Sequence, residues 1–279
     1  METNINNLKN CLYQVEIGNN NDKDTVINKK LKNILNTDIH ELPLGCKISN
    51  THVRIGNIHL DTFFEAQILF SHAYWVDYFA EWVVKQIDKI SESNPVIIIG
   101  YESYIEPVLF AISQKNQQIK YGIFEEKKYI QNKGQVLSDE RIRYIDLIEK
   151  DKLINENCKI FYLCGISSTL KPFSKMQKRA EDYFTEGENE SDSSTIKAPC
   201  KNNSYFLSLI QVLPSNPDDK INKIIIKDEN KKKVSSEENH ISDVYYLVDV
   251  KCKWHIASEC PLCFPENPLE ERPIIQTSE

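Results

Sequence analysis

Two short apolar runs limit what this chain can become: Val-Ile-Ile-Ile at 96–99 and the mostly apolar Lys-Ile-Phe-Tyr-Leu at 159–163. Neither alternates polar with apolar residues, so each predicts a strand covered on both faces, as in a parallel sheet. A turn and a helical pattern follow each run. The first helix is expected over residues 105–115, with Pro107 in its first turn, and the second over 172–184, opening on Pro172. Further strands are expected at 119–124, 205–213, 223–227 and 244–251, and a short one at 51–59. Strands alternating with helices imply crossover connections, hence an α/β fold with a central, mostly parallel sheet flanked by helices.

Ahead of the first core strand, Leu69, Val76, Val83 and Ile90 recur every seven residues, interleaved with Ala73, Ala80 and Ile87. The spacing predicts one long helix over 65–90. Trp75, Phe79 and Trp82 widen its apolar stripe beyond a coiled-coil seam, so it is expected to pack on the sheet. Asn19, Asn20 and Asn21 mark a loop in a weakly patterned N-terminal region, and residues 125–134 read as a charged loop. Residues 186–204 and 228–242 read as polar surface inserts. The expected organisation is an N-terminal extension (1–54), an α/β domain (55–251) and a cysteine-containing tail (252–279).

Charge and glycine content exclude several function classes. With 34 basic and 41 acidic side chains the chain carries a net charge of −7, against the basic field that non-specific nucleic-acid binding needs. Only 8 of 279 residues are glycine, and no two fall within ten residues of each other. The dinucleotide fingerprint, the Walker phosphate loop and the nucleophile elbow are therefore absent. A phosphate site here has to use hydroxyls, lysines and a helix N-terminus. The first residues lack the apolar core of a signal peptide, and no apolar run is long enough to cross a bilayer, so a cytoplasmic location is expected. In that compartment the eight cysteines are expected to be thiols or metal ligands rather than disulfides.

Two segments carry chemistry. The first is the strand, turn and helix over 159–175, where Ser167, Ser168 and Thr169 precede Lys171, Pro172 and Lys175. Free amides at a helix start, hydroxyl donors and two lysines suit a phosphate monoester; the plainer use of Ser168 or Thr169 is to cap the helix. The second is Cys252-x2-His255-x4-Cys260-x2-Cys263, which supplies the ligand types of a tetrahedral zinc site. The alternative there is a set of buried or free thiols.

The order of these features resembles the type I phosphoribosyltransferases, and within them the orotate phosphoribosyltransferase branch, over residues 55–215. The segment Ile-His-Leu-Asp-Thr-Phe-Phe-Glu at 58–65 is similar to that branch's entry segment before the long helix. The strand and turn at 96–104 take the place of the first core strand and its pyrophosphate loop, residues 121–128 that of the strand leading to a lysine-bearing mobile loop, and 164–170 that of the ribose 5-phosphate cradle. The resemblance implies that Tyr101, Glu102 and Ser103 contact the pyrophosphate, a metal-bound water or the base. It implies that Lys127 or Lys128 neutralises the leaving pyrophosphate of a Mg²⁺-bound phosphoribosyl pyrophosphate. Ser167, Ser168, Thr169, Leu170 and Lys171 would form the cradle. The family's adjacent acidic pair, which holds the ribose hydroxyls, is replaced by Leu163-Cys164 or Cys164-Gly165. The expectation is a protein that binds a phosphorylated ribose compound or nucleotide and reacts it at the anomeric carbon. The alternative is a catalytically degenerate nucleotide sensor or partner-binding module, as in a toxin or antiphage system, acting through a protein partner or a homodimer.

Overall fold

The computed structural model describes residues 20–38, 45–48, 52–55, 58–130, 136–144, 158–168, 171–185, 203–215, 244–263 and 274–276. These divide into two compact bodies, one drawn from residues within 1–66, 213–216 and 248–278, the other from residues within 67–212 and 217–247.

The larger body is built on the runs that the sequence singles out. Strand β5 (Val96–Tyr101) has all six residues buried. It pairs in parallel with β6 (Ile119–Ile130) on one side and with β8 (Lys159–Ser167) on the other, and β8 pairs in parallel with β9 (Ser204–Pro214). Strand β7 (Val136–Arg143) runs antiparallel to β6 and β10 (Val244–Cys252) forms the opposite edge, giving the order β10-β9-β8-β5-β6-β7. The fold is α/β with a mostly parallel six-stranded sheet.

Alternate residues of a strand face opposite sides of a sheet, and here each side has its own cover. Ile97, Ile99, Tyr101, Phe124, Ile160, Tyr162 and Cys164 share a buried cluster with Phe173, Met176, Ala180 and Phe184 of helix α5 (Lys171–Thr185). On the other side Gly100 lies against Ile105 and Leu109, which lead into and belong to helix α4 (Glu106–Lys115). Pro107 and Pro172 both fall in first turns, where a missing N–H costs nothing.

The single helix expected over 65–90 is two: α2 (Gln67–Phe70) and α3 (Ala73–Ser91), separated at Ser71 and His72. The buried stripe of α3 is Trp75, Tyr78, Phe79, Ala80, Val83 and Ile87, wider than a heptad seam. The charged segment from 125 is strand as far as Ile130, not loop, because β7 supplies a partner. The asparagines at 20 and 21 open helix α1 (Asn20–Asn36) rather than marking a loop, since Ile27, Leu31, Ile34 and Leu35 recur at helical spacing and are buried.

In the smaller body, β2 (His52–Ile55) and β3 (Ile58–Leu60) form an antiparallel pair. Strand β11 (Trp254–Ile256) adds to β3 and β12 (Ile274–Gln276) adds to β2, so strands from both ends of the chain share one sheet. Strands β1 (Lys47–Ile48) and β4 (Phe63–Phe64) pair separately. The strand expected at 223–227 and the insert at 228–242 lie outside the described residues, as do most of the insert at 186–204 and residues 264–273 of the tail.

Candidate functional site

Strand order singles out one place on the larger body. From β5 the chain passes through α4 to β6 on one side; from β8 it passes through α5 to β9 on the other. The two connections diverge and lie on opposite faces, as two crossovers of the same hand must. Between them, beyond the carboxyl ends of β5 and β8, is the switch point at which open α/β sheets take ligands. Residues 101–103 border it on one side and Ser167, Ser168 and Lys171 on the other.

The β5 exit is strained. Glu102 has φ 63° and ψ 160°, a conformation that side-chain-bearing residues rarely adopt. It is held there by its N–H, which donates to the Phe124 carbonyl at 2.8 Å, and by the 3-10 turn Ser103–Ile105 that follows. Tyr101 is buried, its ring stacked on Phe124 with centroids 5.6 Å apart, whereas Ser103 is exposed. Glu102 is half-buried.

The β8 exit is tightly packed. Ser167 is fully buried, and its hydroxyl lies 2.9 Å from the Ser208 hydroxyl and 2.7 Å from Gln211 Oε1, while Ser208 donates to the Ile210 carbonyl. Of the expected cradle, Ser167 is thus bonded to the neighbouring strand β9. Ser168 is 5% exposed, and Lys171, the first residue of α5, is exposed. Thr169 and Leu170 lie outside the described residues. Leu163 and Cys164, standing where the acidic pair is expected, are fully buried.

The hairpin β6–β7 handles the remaining charges. Lys175 on α5 pairs with Glu126 at 2.5 Å, and the Glu126 side chain is only 8% exposed. Glu125 takes Arg143 at 2.8 Å and Arg141 at 3.1 Å, and Arg143 also reaches Glu106 at 3.1 Å. Burial by itself would lower the Arg143 pKa, but the Glu106 hydrogen bond and the Glu125 charge outweigh it and hold the pKa above its usual value. The backbones of Lys127 and Lys128 belong to β6, opposite Asp139 and Ser138; they are strand residues, not residues of a loop. This charged hairpin is missed by sequence reasoning, although its signal is present: Glu125 and Arg141, like Lys127 and Asp139, are equidistant from residue 133.

The expected zinc ligands are divided. Cys260 and Cys263 come together with His59 of β3, and the three ligand atoms lie within 4.8 Å of one another. Cys252 and His255 are not in that group. Burial, followed by the charge of Asp61, pushes the Cys252 thiol up to about 12, and burial lowers the His255 pKa. None of the six described cysteines is in a disulfide, and among the described residues no helix is long and apolar enough to cross a membrane.

No protein-family model and no curated protein matches this chain. Its fold is similar to that of several solved structures. Purine phosphoribosyltransferase from Pyrococcus horikoshii is 11% identical, with 75% of this chain and 92% of that one covered at a TM-score of 0.35. An adenine phosphoribosyltransferase from Giardia lamblia complexed with 9-deazaadenine is 7% identical over 68% and 87%, at 0.38. A hypothetical protein from Neisseria gonorrhoeae with bound ppGpp is 7% identical over 73% and 84%, at 0.35. At these identities and scores the likeness carries no weight for function, which has to be judged on the geometry of the switch point itself.

Proposed function

We propose that the larger body binds a phosphorylated ribose compound at the switch point between β5 and β8. The observation that carries this reading is the strained Glu102 at the β5 exit. Strain of this kind costs about 1–3 kcal/mol and persists where a site needs a fixed backbone. Opposite it, helix α5 begins at Lys171 with its N-terminal amides and dipole, the chemistry that suits a phosphate in a chain without a glycine loop.

For an enzyme, the reaction is displacement of pyrophosphate from phosphoribosyl pyrophosphate by a nitrogen base. The C–O bond to pyrophosphate breaks, a C–N bond to the base forms, and the base nitrogen gives up its proton to solvent; magnesium would supply charge neutralisation to the departing pyrophosphate. The transition state resembles an oxocarbenium ion, so positioning and charge neutralisation do most of the work. Lys127 or Lys128 would supply positive charge to the leaving group, Ser168, Thr169 and Lys171 would hold the 5-phosphate, and Tyr101, Glu102 and Ser103 would border the pyrophosphate. Magnesium needs oxygen ligands. Leu163 and Cys164 offer no side-chain oxygen, while Glu125 and Glu126 are paired with cations, so the metal would rest on the pyrophosphate and Glu102.

A second reading, a nucleotide sensor or partner-binding module without turnover, is favoured by Leu163 and Cys164, which put no carboxylate where the resemblance implies an acidic pair for the ribose hydroxyls. Calorimetric titration with phosphoribosyl pyrophosphate and Mg²⁺, followed by a pyrophosphate-release assay with mixed bases, separates the two. Binding with release supports the transferase; binding without release supports the sensor. Replacing Ser168 and Thr169 together by alanine is expected to weaken binding by about 2 kcal/mol, the value of hydrogen bonds to a charged group. Unchanged affinity in that double variant contradicts the placement of the phosphate.

A further inference from the structure

We propose that His59, Cys260 and Cys263 bind a zinc ion in the smaller body. The three come from opposite ends of the chain, 201 positions apart between His59 and Cys260 (260 minus 59), yet their ligand atoms share one small volume. His59 is 3% exposed and Cys260 fully buried, so water competes poorly for the space between them.

Local structure fixes each donor. His59 is the middle residue of β3, bracketed by β2 and β11 through its register partners Arg54 and His255. The β3–β11 ladder is extended by the Asp61 N–H, which donates to the Lys253 carbonyl at 3.0 Å, and by the Lys253 N–H, which donates to Asp61 Oδ1 at 3.0 Å. The two cysteines close a tight turn in which the Cys263 N–H donates to the Cys260 carbonyl at 3.1 Å. That turn brings both sulfurs of a Cys-x2-Cys pair to one side, as metal knuckles do.

The dimensions suit zinc. Bonds of about 2.3 Å to sulfur and about 2.0 Å to nitrogen place tetrahedral ligand atoms roughly 3.5–3.8 Å apart. Here all three atoms fall within 4.8 Å, and Cys263 Sγ stands 3.1 Å from His59 Nδ1, so closing the site needs shifts of well under an ångström for that pair. Two thiolates and an imidazole select a borderline-soft divalent ion over magnesium or calcium. On binding, each thiol loses its proton, two thiolate bonds and one imidazole bond form on the ion, and the dication is neutralised. The three-residue set leaves a fourth position for water or an exogenous ligand. Its effect on the fold is to staple the turn after β11 to β3, a crosslink that closes a loop of about 200 residues and so constrains the unfolded chain.

The test uses the full chain, grown with zinc and purified without chelator. Elemental analysis is expected to find one zinc per chain in the wild type, in Cys252→Ser and in His255→Ala, and none in His59→Ala, Cys260→Ser or Cys263→Ser. Because a ligand variant that unfolds would lose metal trivially, the wild type carries a second measurement. Zinc is expected to slow alkylation of Cys260 and Cys263 by about tenfold or more while leaving Cys252 unchanged, and cobalt(II) is expected to give thiolate charge-transfer bands that zinc abolishes. Folded wild type that takes up neither metal overturns the proposal. So does full zinc in His59→Ala, and so does loss of zinc in His255→Ala.

Discussion

Gly165, two residues before the end of β8, shows how little room the site region leaves. A Cβ there would lie 2.7 Å from the Phe70 ring and 2.7 Å from the Tyr104 ring, which are themselves 5.3 Å apart. Gly165→Ala is therefore expected to cost about 1–3 kcal/mol by overpacking, read as a lower urea midpoint with an unchanged slope. Wild-type stability in that variant would mean that the two rings yield freely. Glu102 makes the opposite case. Glycine at that position accepts φ 63° without strain, so Glu102→Gly is expected to gain about 1 kcal/mol, net of the added freedom of the unfolded chain, while weakening ligand binding. A variant that is less stable would show that the conformation is not strained. Ser167 is tied to Ser208 and Gln211, and Ser167→Ala is expected to cost about 1 kcal/mol of stability and leave affinity unchanged. A loss of affinity would return that hydroxyl to the ligand.

Among the elements, the hairpin β6–β7 is where charge and backbone structure are most closely linked. Glu126 is held in a buried position by Lys175, so Lys175→Met leaves a desolvated carboxylate without that cation. The expected loss is about 2 kcal/mol, most of it recovered in Lys175→Met with Glu126→Gln, as measured by a double-mutant unfolding cycle. Losses in the two single variants that sum to the loss in the double variant would show that the pair is not coupled. The central strands were legible in the sequence because burial on both faces writes itself as an unbroken apolar run, as at 96–99 and 159–163. The hairpin was not, because its stabilisation is cross-strand: Glu125 looks like a solvated residue until Arg141 and Arg143 are placed beside it. The break between α2 and α3 was hidden for a different reason. Leu69 keeps the heptad spacing across Ser71 and His72, so periodicity continues where the helix does not. Of the candidate site, the β5 and β8 exits could be placed from strand ends and turn residues. The backbone strain at Glu102 and the burial of Ser167 depend on tertiary neighbours and leave no mark on composition.

At the scale of the molecule, the smaller body joins residues from both ends of the chain, and an ion pair within it helps to join them: Lys32 of α1 meets Asp249, in the part of β10 that belongs to this body, at 2.6 Å. The Lys32 hydrogen bond holds the Asp249 pKa below its usual value. A carboxylate with a lowered folded pKa adds stability that is complete above the unfolded value of about 4, and the gain disappears as pH falls through the folded value. The stability difference between wild type and Asp249→Asn is therefore expected to be constant at neutral pH and to vanish on the acid side. A difference that grows on acidification would reverse the sign of the linkage. His59 as a partner for the C-terminal cysteines lies at this scale too: no local spacing connects it to Cys260, and only the pairing of β3 with β11 brings them together.

The measurement that bears most directly on the switch-point site is a backbone amide titration by nuclear magnetic resonance, with ribose 5-phosphate as the probe. The expected result is saturable shifts concentrated at residues 101–103 and 167–171, with the β7 and β10 edges silent. Shifts confined to the sheet edges, or none at millimolar ligand, would contradict a phosphate site at that bend.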